Sequence, residues 1–146
     1  MNENLPGFEG QELGVGCMFW VGQLPPSIVP SPLRWAALWQ MHPVEFHEIM
    51  IHGRLVKTPR WQQAYGADYH YTGRVNTALP TPSILVSFLN WARGNIDPRL
   101  NGLLLNWYDG RLGHYIGRHR DSIKHMIPGA PIVTMSFAGL RRAGQV

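Results

Sequence analysis

Apolar and polar positions recur along this chain at two different periods. In "TPSILVSFLNWARGN", residues 81–95, Ile84, Leu85, Phe88, Leu89 and Ala92 return at three- and four-residue spacing. That spacing predicts a helix with one apolar face. Thr81 is its expected cap, Pro82 suits the first position, and Gly94 is the expected stop. "QLPPSIVPSPLRWAALWQM", residues 23–41, runs through four prolines into a shorter helix. Ser31 can cap that helix and Pro32 fits its first turn. Elsewhere the apolar runs are short. "EFHEIMIHGRL" predicts a strand entering a turn at Gly53, and "PRWQQAYGADYHYTGR" predicts two short aromatic strands around Gly66. "NGLLLNWY" and "APIVTMSFAG" predict further strands, whereas the Gly-rich residues 1–20 read as loosely ordered. Strands, a helix and strands again predict an α+β domain built on a β-sandwich or jelly roll, with residues 1–146 forming one domain.

Composition agrees with a packed domain. Hydrophobic residues make up 45% and charged residues 15%, which excludes a disordered chain. The 16 glycines and 12 prolines favour many turns over a helix bundle. Cys17 has no second cysteine to pair with, so a buried thiol in a reducing compartment is expected. The N-terminus lacks a basic region followed by an apolar one, and no run approaches the length of a membrane span. A soluble protein is expected, cytoplasmic or, in a eukaryote, nuclear.

Charge changes the picture more. Residues 1–50 hold one basic residue and five acids, 1 − 5 = −4, whereas residues 51–146 hold twelve basic residues and four acids, 12 − 4 = +8. A basic body is the electrostatic footprint of a polyanion partner, although a solvated basic surface gives the same count.

The candidate chemistry lies in "LNWYDGRLGHYIGRHRDS", residues 105–122. His119 and Asp121 are two positions apart and would share one face of a strand. An imidazole nitrogen and a carboxylate oxygen placed so can bind one divalent ion, as in the two-histidine, one-carboxylate set of non-haem Fe(II) oxygenases. His-x-Asp alone is a weak signal that occurs often by chance, and by itself it reads more readily as an exposed polar turn.

The surrounding motifs are more specific. "NGLLLNWYDGRLGHYIGRHRDS" followed by "PGAPIVTMSFAG" resembles the core of the AlkB-type 2-oxoglutarate/Fe(II) dioxygenases, which repair alkylated bases in nucleic acid. The family pattern is an Asn-x-Tyr strand, a turn, Ile-Gly-x-His-x-Asp, then Pro-Ile-x-x-x-Ser-Phe-Gly; here Ala138 precedes Gly139. Upstream, "IHGRLVKTPRWQQAYGADYHYTGR" supplies the family's turn, Pro-Arg, Tyr-Gly and Tyr-x-Tyr-Ser/Thr-Gly in order, so the resemblance covers about residues 44–139. It implies a double-stranded β-helix with N-terminal helices and hairpins. The implied function is oxidative dealkylation of N-alkylated bases, using Fe(II), 2-oxoglutarate and O2. His119 and Asp121 match metal ligands, and Asn106 and Tyr108 match the pair that hydrogen-bonds 2-oxoglutarate. Tyr69 and Tyr71 match the aromatic segment over the substrate base, for which flipping out of the stack is expected. Ordinary sheet aromatics are the plain alternative for both. His52, Arg54 and Lys57 match a hairpin that touches nucleic acid, DNA in preference to RNA. Relatives active on duplex often carry an apolar wedge where His52 stands. His114 and His125 match no ligand and read as loop residues.

The resemblance also implies a second ligand histidine and a co-substrate arginine on later strands. The chain has no histidine after His125, and Arg141 and Arg142 fall where the family begins another core strand. The expectation is therefore a fold lacking its last core strands, monomeric when complete and with edges that favour self-association when shortened. Two alternatives stand beside the dioxygenase: a nucleic-acid-binding remnant without chemistry, and a related oxygenase acting on a protein or small molecule.

Overall fold

A computed structural model describes residues 6–71, 74–119, 121 and 124–137. Thr72, Gly73, Ala138, Gly139, Arg141 and Arg142 lie outside the described residues. The elements run β1 (Phe8–Gly14), β2 (Cys17–Gly22), α1 (Pro32–Gln40), β3 (Glu48–Ile51), β4 (Arg54–Lys57), β5 (Trp61–Tyr65), β6 (Tyr69–Tyr71), β7 (Arg74–Asn76), α2 (Ser83–Asn95) and β8 (Leu103–Trp107). A single turn of 3₁₀ helix at Gly110–Leu112 follows. The class is α+β, with antiparallel pairs β1–β2, β3–β4, β5–β8 and β6–β7 among the described residues.

α1 begins as its residues dictate. The Ser31 hydroxyl accepts from the Arg34 amide at 3.3 Å, and Pro32 occupies the first turn, where no amide proton is needed. α2 differs from expectation at both ends. Pro82 is its cap residue and no side chain caps it. A Cβ added at Gly66 would stand 2.8 Å from the Thr81 hydroxyl oxygen, so Thr81 packs against the β5–β6 turn instead. Gly94 stays helical and the helix ends one residue later, where the Ile96 amide donates to Ala92 at 2.9 Å. The expected apolar face is observed: Leu85, Phe88, Leu89 and Ala92 are buried.

The core gathers Leu38 of α1, Leu85 and Phe88 of α2, Tyr65 of β5 and Trp107 of β8, with Ile28 from the proline-rich segment. Burial of such side chains contributes about 1.5–3 kcal/mol each. Two polar ties fix the helices around it. The Trp107 indole donates to the Leu38 carbonyl at 2.8 Å, and Arg34 donates to the Ile84 carbonyl at 2.6 Å while lying over the Phe88 ring. The β5–β8 pair is thereby held under both helices. It matters most for the site, because it sets Gln62 opposite Asn106.

Three expectations are corrected. Residues 8–22 form an antiparallel hairpin, closed by Val15 and Gly16 with Gly16 at φ 72°, and Phe8 stacks on Trp91 of α2. Cys17 is exposed at the start of β2 rather than buried. Residues 131–137 of "APIVTMSFAG" form no strand, although Met135 and Phe137 do pack on the core. No helix among the described residues is long and apolar enough to cross a membrane.

Candidate functional site

Neither His119 nor Asp121 is in a strand, in contrast to the strand their spacing predicts. No neighbouring strand among the described residues pairs with either. The two side chains nevertheless meet: His119 Nε2 stands 3.5 Å from Asp121 Oδ1, with 35% and 38% of the side chains exposed. His119 Nδ1 lies 3.0 Å from the Gly117 carbonyl oxygen. An oxygen there requires the proton on Nδ1, which leaves the neutral ring's Nε2 lone pair facing the Asp121 carboxylate. Two lone pairs confronted at this distance repel unless a proton or a shared cation lies between them. The histidine thus has the arrangement typical of a metal ligand, one nitrogen tied to a carbonyl and the other free to bind. Two donors of one ion, each about 2.1 Å from it, stand about 3 Å apart when adjacent, so the pair fits two coordination positions. Among the described residues no group of three His, Cys, Asp or Glu side chains forms a fuller set. His114 and His125 are placed in loops, His114 over Trp61 with ring centroids 4.6 Å apart and His125 stacked on His70 at 4.3 Å.

Tyr69 joins this pair. Its hydroxyl lies 3.5 Å from Asp121 Oδ1, and its ring stacks on Tyr71 with centroids 6.2 Å apart. Alternation along β6 puts Tyr69 and Tyr71 on one side and His70 on the other. Burial, then the Asp121 charge and Tyr71, push the Tyr69 phenol above its ordinary value, with Arg60 opposing. Tyr69 therefore remains a protonated donor toward the carboxylate.

A second group centres on Asn106. Its side-chain oxygen accepts from Arg60 Nε at 2.9 Å and from Gln62 Nε2 at 3.0 Å. Arg60 and Gln62 are buried at 8% and 4% exposure, whereas Asn106 is exposed. With its oxygen occupied twice, the Asn106 amide turns its two N–H donors away from β5. Tyr108, two residues on, is 39% exposed. Burial pushes its phenol up and Arg60 opposes this, so it too is a donor. Sequence spacing does not single out Arg60. It was visible only as the second residue of the Pro-Arg motif. The Arg60 charge is felt at Tyr69, Tyr108 and His47, so it links the Asn106 group to the Tyr69–Asp121–His119 group.

The expected nucleic-acid hairpin is β3–β4. His52 and Gly53 form its two-residue turn with φ 45° and 76°, which suits a type I′ turn. His52, Arg54 and Lys57 are all exposed. Lys57 is 3.9 Å from Glu45, an exposed pair of small energetic weight. At the base of the hairpin an open groove of about 640 Å³ is lined by Glu45, Phe46, His47, Glu48, Lys57, Arg74 and Val75. His47 is pushed down by burial, then by Arg74 and Arg60, so it is neutral at pH 7.

No protein-family model matches the chain. Its sequence is similar to DNA oxidative demethylases. It is 29% identical over 96 residues to the DNA oxidative demethylase ALKBH2 of Homo sapiens, covering 64% of this chain and 36% of that protein. The Mus musculus protein of the same name is 29% identical over 97 residues, covering 64% of this chain and 40% of the relative. The chain thus spans well under half the length of the curated relatives it matches. Similarity of this extent supports a relationship to AlkB-type proteins at the level of the family.

Proposed function

We propose that this protein is an AlkB-type dioxygenase that removes alkyl groups from the nitrogens of bases in nucleic acid, DNA before RNA. The observation that carries this reading is the facing of His119 Nε2 and Asp121 Oδ1 at 3.5 Å, with Tyr69 against the same carboxylate. Similarity to proteins named DNA oxidative demethylases supports the substrate class. In this reading the antiparallel pairs belong to a double-stranded β-helix.

His119 and Asp121 would hold Fe(II), the imidazole through Nε2 and the carboxylate through Oδ1. When bound, the metal with 2-oxoglutarate and O2 supplies the oxidation of the alkyl carbon, leaving succinate, CO2 and an aldehyde. The chain's residues do the rest. The Gly117 carbonyl holds the proton on His119 Nδ1 and so keeps Nε2 available. Tyr69 donates to Asp121 and restrains its rotation. Asn106 presents N–H donors, and Tyr108 an O–H donor, to carboxylate oxygens of the co-substrate. Tyr69 and Tyr71 offer a stacked aromatic edge to an extruded base. Arg54 and Lys57 contact phosphates from the exposed hairpin, without base information.

A second reading is favoured by one observation: the described residues supply two metal donors and no third. In that reading the protein binds nucleic acid without oxidising it. Formaldehyde release from an N-methylated oligonucleotide, with Fe(II) and 2-oxoglutarate, separates the two. The first reading expects release that His119→Ala abolishes. Binding without release supports the second.

A further inference from the structure

His114 and His125 match no metal ligand, yet they stand on either side of the His119–Asp121 pair and each packs its ring on a strand. His114 meets Trp61 of β5 edge to face, and His125 stacks on His70 of β6 with the ring planes 26° apart. The contacts of the pair between them are long. Neither donor is in a strand, and the Asp121 carboxylate meets His119 and Tyr69 at 3.5 Å each, the long limit of a hydrogen bond. Contacts of that length do not fix a side chain. Its position depends on where the backbone on each side is anchored. Upstream the anchor is plain: the Tyr115 amide donates to the Pro59 carbonyl at 3.0 Å, shortly before β5.

Downstream the anchor is the His70–His125 stack. Tyr69 and His70 are neighbours on β6, so their side chains leave opposite faces of the strand. Tyr69 meets Asp121, and His70 meets His125 at 4.3 Å between ring centroids. Asp121 and His125, four positions apart, therefore engage β6 from opposite faces. β7 occupies one edge of β6, in the register Tyr69–Asn76, His70–Val75 and Tyr71–Arg74, and no strand among the described residues pairs with the other. His125 is exposed and His70 half-buried, and neither belongs to the hydrophobic core. Removing the stack thus leaves the core packing intact while freeing the Asp121 side of the metal pair.

We propose that His125 is a positioning residue of the metal site: stacked on His70, it holds Asp121 against Tyr69 across β6. The proposal rests on the functional reading above. It gives β6 a duty on each face, Tyr69 and Tyr71 toward the base and His70 toward the segment that carries the metal donors. An aromatic pair contributes about a two- to tenfold factor beyond the area it buries. Displacing a ligand carboxylate by about half an ångström is enough to weaken a site of so few donors.

The test measures the Mn(II) affinity of the full chain from the electron paramagnetic resonance signal of the free ion, with folding checked by near-ultraviolet circular dichroism. His125→Ala is expected to weaken binding about 3- to 10-fold. His125→Phe keeps a stacking ring without a nitrogen donor and is expected to stay within about twofold of wild type. His70→Ala is expected to give the same loss as His125→Ala, and the double variant no further loss, since both act through one contact. Should His125→Ala not fold, His70→Ala and His125→Phe carry the comparison. Unchanged affinity in a folded His125→Ala or His70→Ala overturns the proposal and leaves the functional reading standing. Additive losses in the double variant overturn it as well. A loss in His125→Phe as large as in the alanine variants shows that the imidazole nitrogen matters rather than the stack, and overturns the positioning role. Wild-type protein that binds no Mn(II) overturns both the proposal and the reading it rests on.

Discussion

The Asn106 side-chain oxygen is shared by Arg60 Nε at 2.9 Å and Gln62 Nε2 at 3.0 Å. One exposed amide on β8 thereby satisfies two buried donors on the β5 side and fixes its own orientation. Asn106→Ala leaves both donors without an acceptor. An unsatisfied buried group costs about 1–3 kcal/mol, so urea denaturation should show a loss of about 2 kcal/mol or more. Asn106→Asp keeps an acceptor of the same shape, and it should retain stability to within about 1 kcal/mol by pairing with Arg60. The same variant should weaken binding of 2-oxoglutarate, because a carboxylate at this position has no N–H to donate.

His119 and Asp121 predict weak metal binding with a sharp dependence on both residues. Isothermal titration with Mn(II) or Co(II) should show a single low-affinity site in the wild type, absent in His119→Ala and in Asp121→Ala. Tyr69→Phe removes only the 3.5 Å contact to Asp121 and should weaken binding by no more than about tenfold. Tight stoichiometric binding that survives His119→Ala would place the metal elsewhere.

The β3–β4 hairpin separates two roles that the sequence leaves merged. His52 sits at φ 45°, a region that costs a non-glycine residue about 1–2 kcal/mol. His52→Gly should therefore stabilise the turn by about 1 kcal/mol, read by thermal unfolding, and should weaken nucleic-acid binding only if the imidazole itself makes contact. Arg54→Ala with Lys57→Ala should weaken binding to all sequences alike and flatten the log–log salt slope by up to about two units. An unchanged slope in binding titrations would remove this hairpin from the interface.

Asp109 predicts an acid-sensitive loop next to Tyr108. Side-chain and backbone hydrogen bonds from Arg111 hold its carboxyl at about 2, below its ordinary 3.8. A depressed carboxylate contributes stability above the unfolded value and loses it as pH falls through the folded one. The wild type should thus lose stability progressively from about pH 4 to pH 2. Asp109→Asn should show a shallower loss over that window, measured by thermal unfolding against pH. Identical pH profiles would show that the Arg111 clamp does not persist in solution.

Local features proved the most legible in the sequence. The Ser31 cap, the Pro32 first turn, the buried face of α2 and the strands on either side of Gly53 and Gly66 follow from residues a few positions apart. The β1–β2 hairpin was not legible, because Leu13, Val15, Met18, Phe19 and Val21 remain exposed and leave no buried alternation to read. "PIVTMSF" shows the converse: β-branched residues favour a strand, but a strand also needs a partner, and none pairs with it among the described residues. At the site, spacing brought His119 to Asp121 without the strand it implied. Arg60 could not be singled out in this way. Its role depends on a partner 46 residues away and on burial that a basic residue does not advertise.

The central claim is that the His119–Asp121 pair carries oxidative dealkylation of a base. Its most direct measurement is formaldehyde released from a single N-methylated oligonucleotide by the full chain with Fe(II) and 2-oxoglutarate, alongside His119→Ala and Asp121→Ala. The account predicts release by the wild type and none by either variant, while all three bind the oligonucleotide comparably in a salt-matched titration. Equal release by wild type and variants, or no release from wild-type protein that demonstrably binds the methylated strand, would contradict it.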